Sequence, residues 1–450
     1  MALSIHNFHK TIIAITILVY FIAAYNGHGY LQEDEHYQII EFAQLKSGFN
    51  TTQDMAWEYH ACMRSAFQPF IAYCVFKCCY WLNIINPYVL AFLLRLLSAA
   101  LAIFVIRKFV HATLQSIDEK YHRLYICSSY LLWFLPLINI RFSSEAWAGL
   151  LFLWAVATLL KNNDQYFFIG ILLGISFLCR FQTGILSVSL ITWLLFVKKE
   201  NFINILKIGG GGVLILAVGI LLDHWLYGKF TLSAWNYFYN TMLSANSMQF
   251  GNSPWYAYIK PIIIKPFFLL GSAIVLSLAI LLVKDRKNIF LLITIPFIVI
   301  HSIIPHKEFR FLYPLINFIP VIIFGAWQNI KANTSFINKI SFSATVTKAI
   351  LLLLFSINAI ALVAVMSRAA EDRVAISNYL HTTSPTQPIK IVYTKWSDYV
   401  TPELQAKFYL EKNTELIQLD SLPMLTASYI DTTKLNFFIL RRGVDQIQNN

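Results

Sequence analysis

Long apolar runs recur along this chain, at 11–25, 88–106, 124–140, 145–160, 165–180, 183–197, 205–222, 262–283, 289–304, 311–327 and 348–366. Roughly 17–25 such residues in a helix cross a bilayer, and helices satisfy their own backbone there. The 450 residues are 57% hydrophobic and 13% charged, whereas a soluble domain carries about 25% charged residues. The expected fold is an all-α polytopic membrane protein with about 11 transmembrane helices. A net charge of +12 raises nucleic acid as a partner. The basic residues, however, sit in short loops between apolar runs, where they orient a membrane protein, so nucleic acid is excluded.

One further apolar segment, 67–82, decides the topology. With the N-terminus inside and 67–82 not spanning, the basic loops 107–123, 161–164, 198–204, 284–288 and 328–347 all fall on the cytoplasmic side, as the positive-inside rule requires. If 67–82 spans, every one of them falls outside. Segment 67–82 is therefore expected to lie on the outer leaflet, which suits its aromatics Phe67, Phe70, Tyr73, Phe76, Tyr80 and Trp81. Loop 26–66, loop 223–261, residues 306–310 and the tail 367–450 then share the outer face. The tail has β-like runs at "IKIVYTKW" and "KLNFFILRR". This gives a membrane domain over 1–366, with an outer loop at 26–87, followed by a small α/β soluble tail over 367–450. The first run resembles a signal peptide; a retained signal-anchor helix suits a polytopic chain better. The six cysteines show neither zinc spacing nor a disulfide framework. All but Cys62, which lies in a polar loop, read as core thiols.

The chemistry-bearing residues gather on the outer face. In "GHGYLQEDEHYQ", Asp34 and Glu35 adjoin Glu33 and His36. Clustered carboxylates raise each other's pKa and suit a general base, although an acidic triplet is also an ordinary solvated loop. Trp57, Glu58, His60 and Arg64 follow in "AWEYHACMRS". Asp223, His224 and Trp235 come next, and then Pro254, Trp255 and Tyr256. Aromatics beside polar groups fit a sugar surface and equally a membrane interface. In "IPHKEFRFLYP", His306, Lys307, Glu308 and Arg310 stand between two apolar runs. Fixed Lys and Arg at a membrane edge bind phosphate well; a loop whose cations snorkel to lipid headgroups is the alternative.

At these residues the sequence resembles glycosyltransferase family 22, the lipid-linked-mannose transferases with a GT-C fold. The strongest element is His306 to Pro314, similar to that family's HKE-x-RF-x-x-P signature. Asp34-Glu35 stands at the place of its PDE motif, and Asp223 with Tyr227-Gly228 matches D-x-x-x-Y-G. Gly251, Pro254-Trp255 and Tyr258 match G-x-x-PW-x-x-Y. The version looks closest to the glycosylphosphatidylinositol mannosyltransferase III branch. Glu33 replaces the usual proline before Asp-Glu, Asn252-Ser253 replaces a THPW lead, and Arg180-Phe181 stands where an RP pair is common.

The resemblance implies an inverting transfer of mannose from a polyprenyl- or dolichyl-phosphate-mannose donor to a glycan or glycolipid acceptor, forming an α-linkage. It implies Asp34 as base with Glu35 positioning, and His306, Lys307 and Arg310 on the donor phosphate. His36, Glu58, Arg64, Asp223 and Trp255 are then candidates for binding substrate. It implies no nucleotide sugar, no metal and no other cofactor. The "GGGG" at 209–212 has no Lys-Ser/Thr after it and reads as close helix packing. A flippase for a lipid-linked sugar is the alternative of another class, and would place charge deep within spans. Other GT-C enzymes lack the HKE-x-RF element. The Ile-, Lys- and Asn-rich composition suggests a bacterial inner membrane with the site facing the periplasm; in an endoplasmic reticulum membrane the site would be lumenal.

Overall fold

The computed structural model describes residues 4–161, 164–243, 251–331, 344–370, 372–383, 388–394, 407–410, 414–419 and 430–439. The chain forms two compact units. The first holds residues 1–27, 62–68 and 94–368; the second holds 28–61, 69–93 and 369–450. The second unit thus joins most of the outer loop to the tail, across more than 270 residues of sequence between 93 and 369.

Helices dominate. Ile5–Asn26, Pro87–Ser116, Phe181–Lys198, Phe202–Tyr227 and Phe309–Lys331 are long and apolar enough to cross a membrane. Phe268–Lys284 and Ile289–Ile303 meet at 118° and make a sixth if they are one span. Ser144–Leu160, Tyr166–Cys179 and Leu352–Ser367 are apolar but shorter. The protein is an integral membrane protein, with fewer full-length spans among the described residues than the about eleven apolar runs in its sequence. Helix Phe67–Trp81 has 15 residues, short of a spanning length.

Two runs are interrupted for visible reasons. The run at 124–140 divides into His122–Leu131 and Phe134–Asn139. Asn358 bridges the break: its Oδ1 accepts the Trp133 N–H at 2.9 Å and its Nδ2 donates to the Leu131 carbonyl at 2.8 Å. In an apolar setting a broken helix needs such partners. The run at 262–283 breaks around Pro266, between Ile259–Ile264 and Phe268–Lys284. There Phe267 takes φ +69°, a value costly for an aromatic residue.

In the first unit, glycines let backbones touch. A Cβ on Gly170 would lie 2.0 Å from the Ile208 carbonyl oxygen, and one on Gly211 2.2 Å from that of Phe167. Helices Tyr166–Cys179 and Phe202–Tyr227 therefore pack backbone to backbone there. The glycine run at 209–212 divides accordingly: Gly211 lies in the contact, while Gly209 has no neighbour within 4 Å. Phe134, Leu135, Ile138, Ala146 and Ile316 form a buried cluster in the first unit.

The second unit carries a three-stranded parallel sheet ordered β2-β1-β3, with β1 Ile389–Thr394, β2 Thr414–Leu419 and β3 Leu435–Ile439. β1 and β3 fall within the two β-like runs; residues 395–396 and 440–442 of those runs lie outside the described residues. β2 was not expected. Leu380, Ile389 and Ile391 form its core, with Leu416, Phe437 and Ile439 packed on it. The cysteines are free, but not all are core thiols: Cys78 is exposed, whereas Cys62 in its polar loop is buried.

Candidate active site

The candidate residues fall in both units. His306, Lys307, Arg310, Arg64, Asp223 and Trp255 belong to the first, and Asp34, Glu35, His36 and Glu58 to the second.

In the first unit, helix Ser144–Leu160 begins after Ser143, whose Oγ accepts the Ala146 N–H. Glu145 lies in its first turn, where the helix dipole favours a carboxylate. Gly149, one turn on, shares that face. A Cβ there would lie 2.6 Å from Pro314 Cα, so its absence admits the 3₁₀-helix Phe309–Phe318. Arg310 lies four residues before Pro314, and its Nε stands 3.8 Å from Glu145 Oε1. Glu145 also faces Arg180, the residue that caps helix Tyr166–Cys179. Arg180 Nη1 is 3.0 Å from Glu145 Oε1, with both side chains 5% exposed. That pair is close but poorly aligned for a hydrogen bond, so its attraction is chiefly of charge for charge. Arg180 and Arg310 lie 5.0 and 5.7 Å from the Phe311 ring centre.

Arg310 is held more closely by Glu308, through an Nη2 hydrogen bond to Oε1 at 2.8 Å and an Nε–Oε2 charge contact at 2.7 Å that is not aligned as a hydrogen bond. His306 Nε2 reaches the same Oε1 at 3.0 Å. Lys307 is held differently. Its two hydrogen bonds, 2.9 Å to Ser253 and 2.7 Å to Ile304, both end on neutral carbonyl oxygens. Burial lowers its pKa from the ordinary lysine value.

The segment containing Trp255 braces this strip. Gly251 supplies φ +97°, Ser253 N–H donates to the Pro305 carbonyl at 3.0 Å, and Tyr258 Oη donates to that of Glu308 at 3.2 Å. Burial, then the nearby Glu308 carboxylate, raises the Tyr258 pKa and keeps it a donor. Trp255 itself is 69% exposed.

Asp223 and Tyr227 are one turn apart near the end of helix Phe202–Tyr227, not in a loop as expected, and Gly228 closes that helix at φ +71°. Both reach back to residues 64–66. Asp223 Oδ1 accepts the Ala66 N–H at 2.8 Å, and Oδ2 accepts Ser233 Oγ. Tyr227 Oη donates to the Arg64 carbonyl at 2.7 Å. The Arg64 guanidinium lies 5.6 Å from the Tyr237 ring centre. The D-x-x-x-Y-G pattern is thus a strap on the segment that carries Arg64.

In the second unit, Glu33–Glu35 leads into a π-helical turn, His36–Ile40. Such turns are frequent at functional sites. Asp34 is half-buried; Glu35 is buried, and its Oε1 accepts the Leu31 N–H. His36 is enclosed rather than presented. It stacks between Tyr30 and Tyr409, each 5.2 Å away, and its Nε2 meets Glu41 Oε1 at 2.8 Å. Glu41 also accepts the Phe408 N–H at 3.1 Å and Asn50 Nδ2. Glu58 accepts Gln38 Nε2 at 2.8 Å. Among the described residues, no group of three or more His, Cys, Asp or Glu side chains converges as a metal site requires.

Sequence reasoning missed Glu145 and Arg180. Glu145 had a signal, a carboxylate at the very edge of an apolar run. Arg180 stood out only as a departure from a motif.

Residues 10–405 match the Alg9-like mannosyltransferase family. The chain is 25% identical over 311 residues to GPI alpha-1,2-mannosyltransferase 3 of Xenopus laevis, covering 66% of this chain and 56% of that one. It is 34% identical over 103 residues to GPI mannosyltransferase 3 of Candida albicans, 23% of this chain and 20% of the relative. The match thus spans about half, or less, of the length of these relatives. Among solved structures, ArnT from Cupriavidus metallidurans bound to undecaprenyl phosphate superposes with a TM-score of 0.58 at 13% identity, covering 90% of this chain and 85% of that one. That likeness shows the fold, the GT-C fold expected above.

Proposed function

Since the chain belongs to the Alg9-like mannosyltransferase family, we propose that it transfers mannose from a lipid-phosphate-mannose donor to a glycan or glycolipid acceptor. The observation that carries this reading is Lys307, a cation at the end of a membrane helix whose hydrogen bonds, among the described residues, go to carbonyl oxygens, with Arg310 three residues on. Such a cation is equipped to receive an anion. Lys307, supported by Arg310, takes the phosphate of the donor, and His306 donates a hydrogen bond to it. Asp34 accepts the proton of the acceptor hydroxyl while Glu35 fixes the turn. The acceptor oxygen attacks the anomeric carbon, and the bond to the phosphate oxygen breaks with its electron pair leaving on the lipid phosphate. Inversion of a β-linked donor gives an α-linked product. Arg64, Asp223, His36, Glu58 and Trp255 serve substrate binding, the exposed Trp255 ring directly and Asp223 through the Arg64 segment. The site faces away from the basic loops. In a bacterial inner membrane that side is the periplasm, and in the endoplasmic reticulum it is the lumen.

The test is transfer of radiolabelled mannose from polyprenyl-phosphate-mannose into membrane lipid or glycan, comparing wild type, Asp34→Asn and Lys307→Met at equal membrane levels. Transfer by wild type alone is expected. Equal transfer by Asp34→Asn would remove Asp34 as the base. No transfer by any form, across several lipid donors and acceptors, would favour a flippase.

A further inference from the structure

The strip His306–Arg310 carries a carboxylate where an anionic ligand would bind. We propose that Glu308 is a placeholder for the donor phosphate: its carboxylate holds the Arg310 guanidinium and is displaced when lipid phosphate binds. This rests on the reading of Lys307 and Arg310 as the phosphate-binding cations.

Four observations support the exchange. First, Arg310 meets both oxygens of Glu308, with an Nη2 hydrogen bond to Oε1 at 2.8 Å and Nε 2.7 Å from Oε2 in a charge contact not aligned as a hydrogen bond. A guanidinium can present the same edge to a phosphate. Second, the carboxylate lies on the accessible side. The Glu308 side chain is 29% exposed and that of Arg310 8%, so a ligand arriving from solvent meets the carboxylate first. Third, Tyr258 Oη holds the Glu308 carbonyl at 3.2 Å, so the backbone has an anchor independent of the carboxylate. Fourth, Arg310 is not abandoned when Glu308 leaves. Glu145, 3.8 Å from its Nε and deeply buried, keeps a counter-charge behind it, which matters because an uncompensated buried charge is costly.

The charges fit the exchange. Arg180, Lys307 and Arg310 against Glu145 and Glu308 leave one positive charge. With Glu308 withdrawn the remaining groups hold two. A phosphodiester donor carries one negative charge and a phosphomonoester product about 1.5–2. The displaced carboxylate competes with both, and most with the product, whose release it assists.

The experiment measures binding of undecaprenyl phosphate to the purified full-length protein in nanodiscs, for wild type, Glu308→Gln, Glu308→Ala, Glu308→Asp and Lys307→Met. Removing the competing charge is expected to tighten binding about tenfold in Glu308→Gln and Glu308→Ala. Glu308→Asp keeps the charge and should bind like wild type. Lys307→Met should bind more weakly. Binding that is unchanged or weaker in both neutral variants, with Lys307→Met also weakened, overturns the placeholder and leaves the phosphate site standing. Unchanged binding in Lys307→Met removes the phosphate site, and the placeholder with it. Two neutral variants guard against one that fails to accumulate.

Discussion

Lys307 and Arg310 are three residues apart and held in opposite ways, one by carbonyl dipoles and the other by carboxylates. Their substitutions should therefore differ. Lys307→Met removes the less compensated charge, and kcat/KM for the donor is expected to fall about 10- to 100-fold, the worth of a charged hydrogen bond. Burial lowers the Lys307 pKa, so the ammonium is lost as pH rises through a value below that of an ordinary lysine. Donor KM should climb correspondingly early on the alkaline side. Lys307→Arg should extend the plateau, because a guanidinium does not titrate there. A pH profile of KM identical in the two proteins would detach Lys307 from the donor. Glu145→Gln leaves two buried guanidinium groups without their shared carboxylate. It should cost about 3–5 kcal/mol of stability, read as a lower thermal midpoint in detergent. The charged strip at 306–310 was legible as a candidate because four charged or titratable residues interrupt oil. Glu145 and Arg180 were not read, because each is a single charge in its own stretch of sequence and only folding brings them together.

At the level of elements, the glycines make the clearest contrast. Gly211→Ala would press a methyl group to 2.2 Å from the Phe167 carbonyl oxygen, forcing helices Tyr166–Cys179 and Phe202–Tyr227 apart. A loss of about 1–3 kcal/mol is expected, as for other overpacked contacts. Gly209→Ala, two residues away in open space, should be neutral or gain up to about 1 kcal/mol of helix propensity. Thermal unfolding of the two variants in one detergent decides the matter, and equal midpoints would refute the packing. Most spans were legible from apolar periodicity, since a bilayer leaves a chain few alternatives. Their breaks were less so. Asn358 makes the break at residues 132–133 tolerable from more than 200 positions away, and no local window contains it. The 3₁₀-helix Phe309–Phe318 was read from residue 311 on as the start of an ordinary span, because those residues are apolar enough for a helix. The glycine that admits it lies far back, at 149.

On the scale of the molecule, the second unit is assembled from three separated stretches, 28–61, 69–93 and 369–450. The tail contributes more than its sheet. Lys407 pairs with Asp54 at 2.6 Å, Phe408 stacks on Phe76 at 5.4 Å, and Tyr409 covers His36. Replacing Phe408 and Tyr409 by alanine should raise amide exchange across residues 33–47, while exchange in helix Ser144–Leu160 stays as it was. A uniform rise would mean that the tail supports the whole fold. Two of the three strands could be read from the sequence, but the joining of tail to outer loop could not, because it depends on two aromatic residues in a polar stretch. That joining also sets an order of events during synthesis. A chain emerging from the ribosome presents His36 and Glu41 hundreds of residues before Lys407–Tyr409 exist to cover them. Until residues 408 and 409 are made, the turn bearing Asp34 and Glu35 has neither the Phe408 and Tyr409 rings against His36 nor the backbone N–H that Glu41 accepts. An interrupted or shortened product is thus inserted in the membrane yet unfinished at its acidic turn, which gives quality control a means of telling completed copies from incomplete ones.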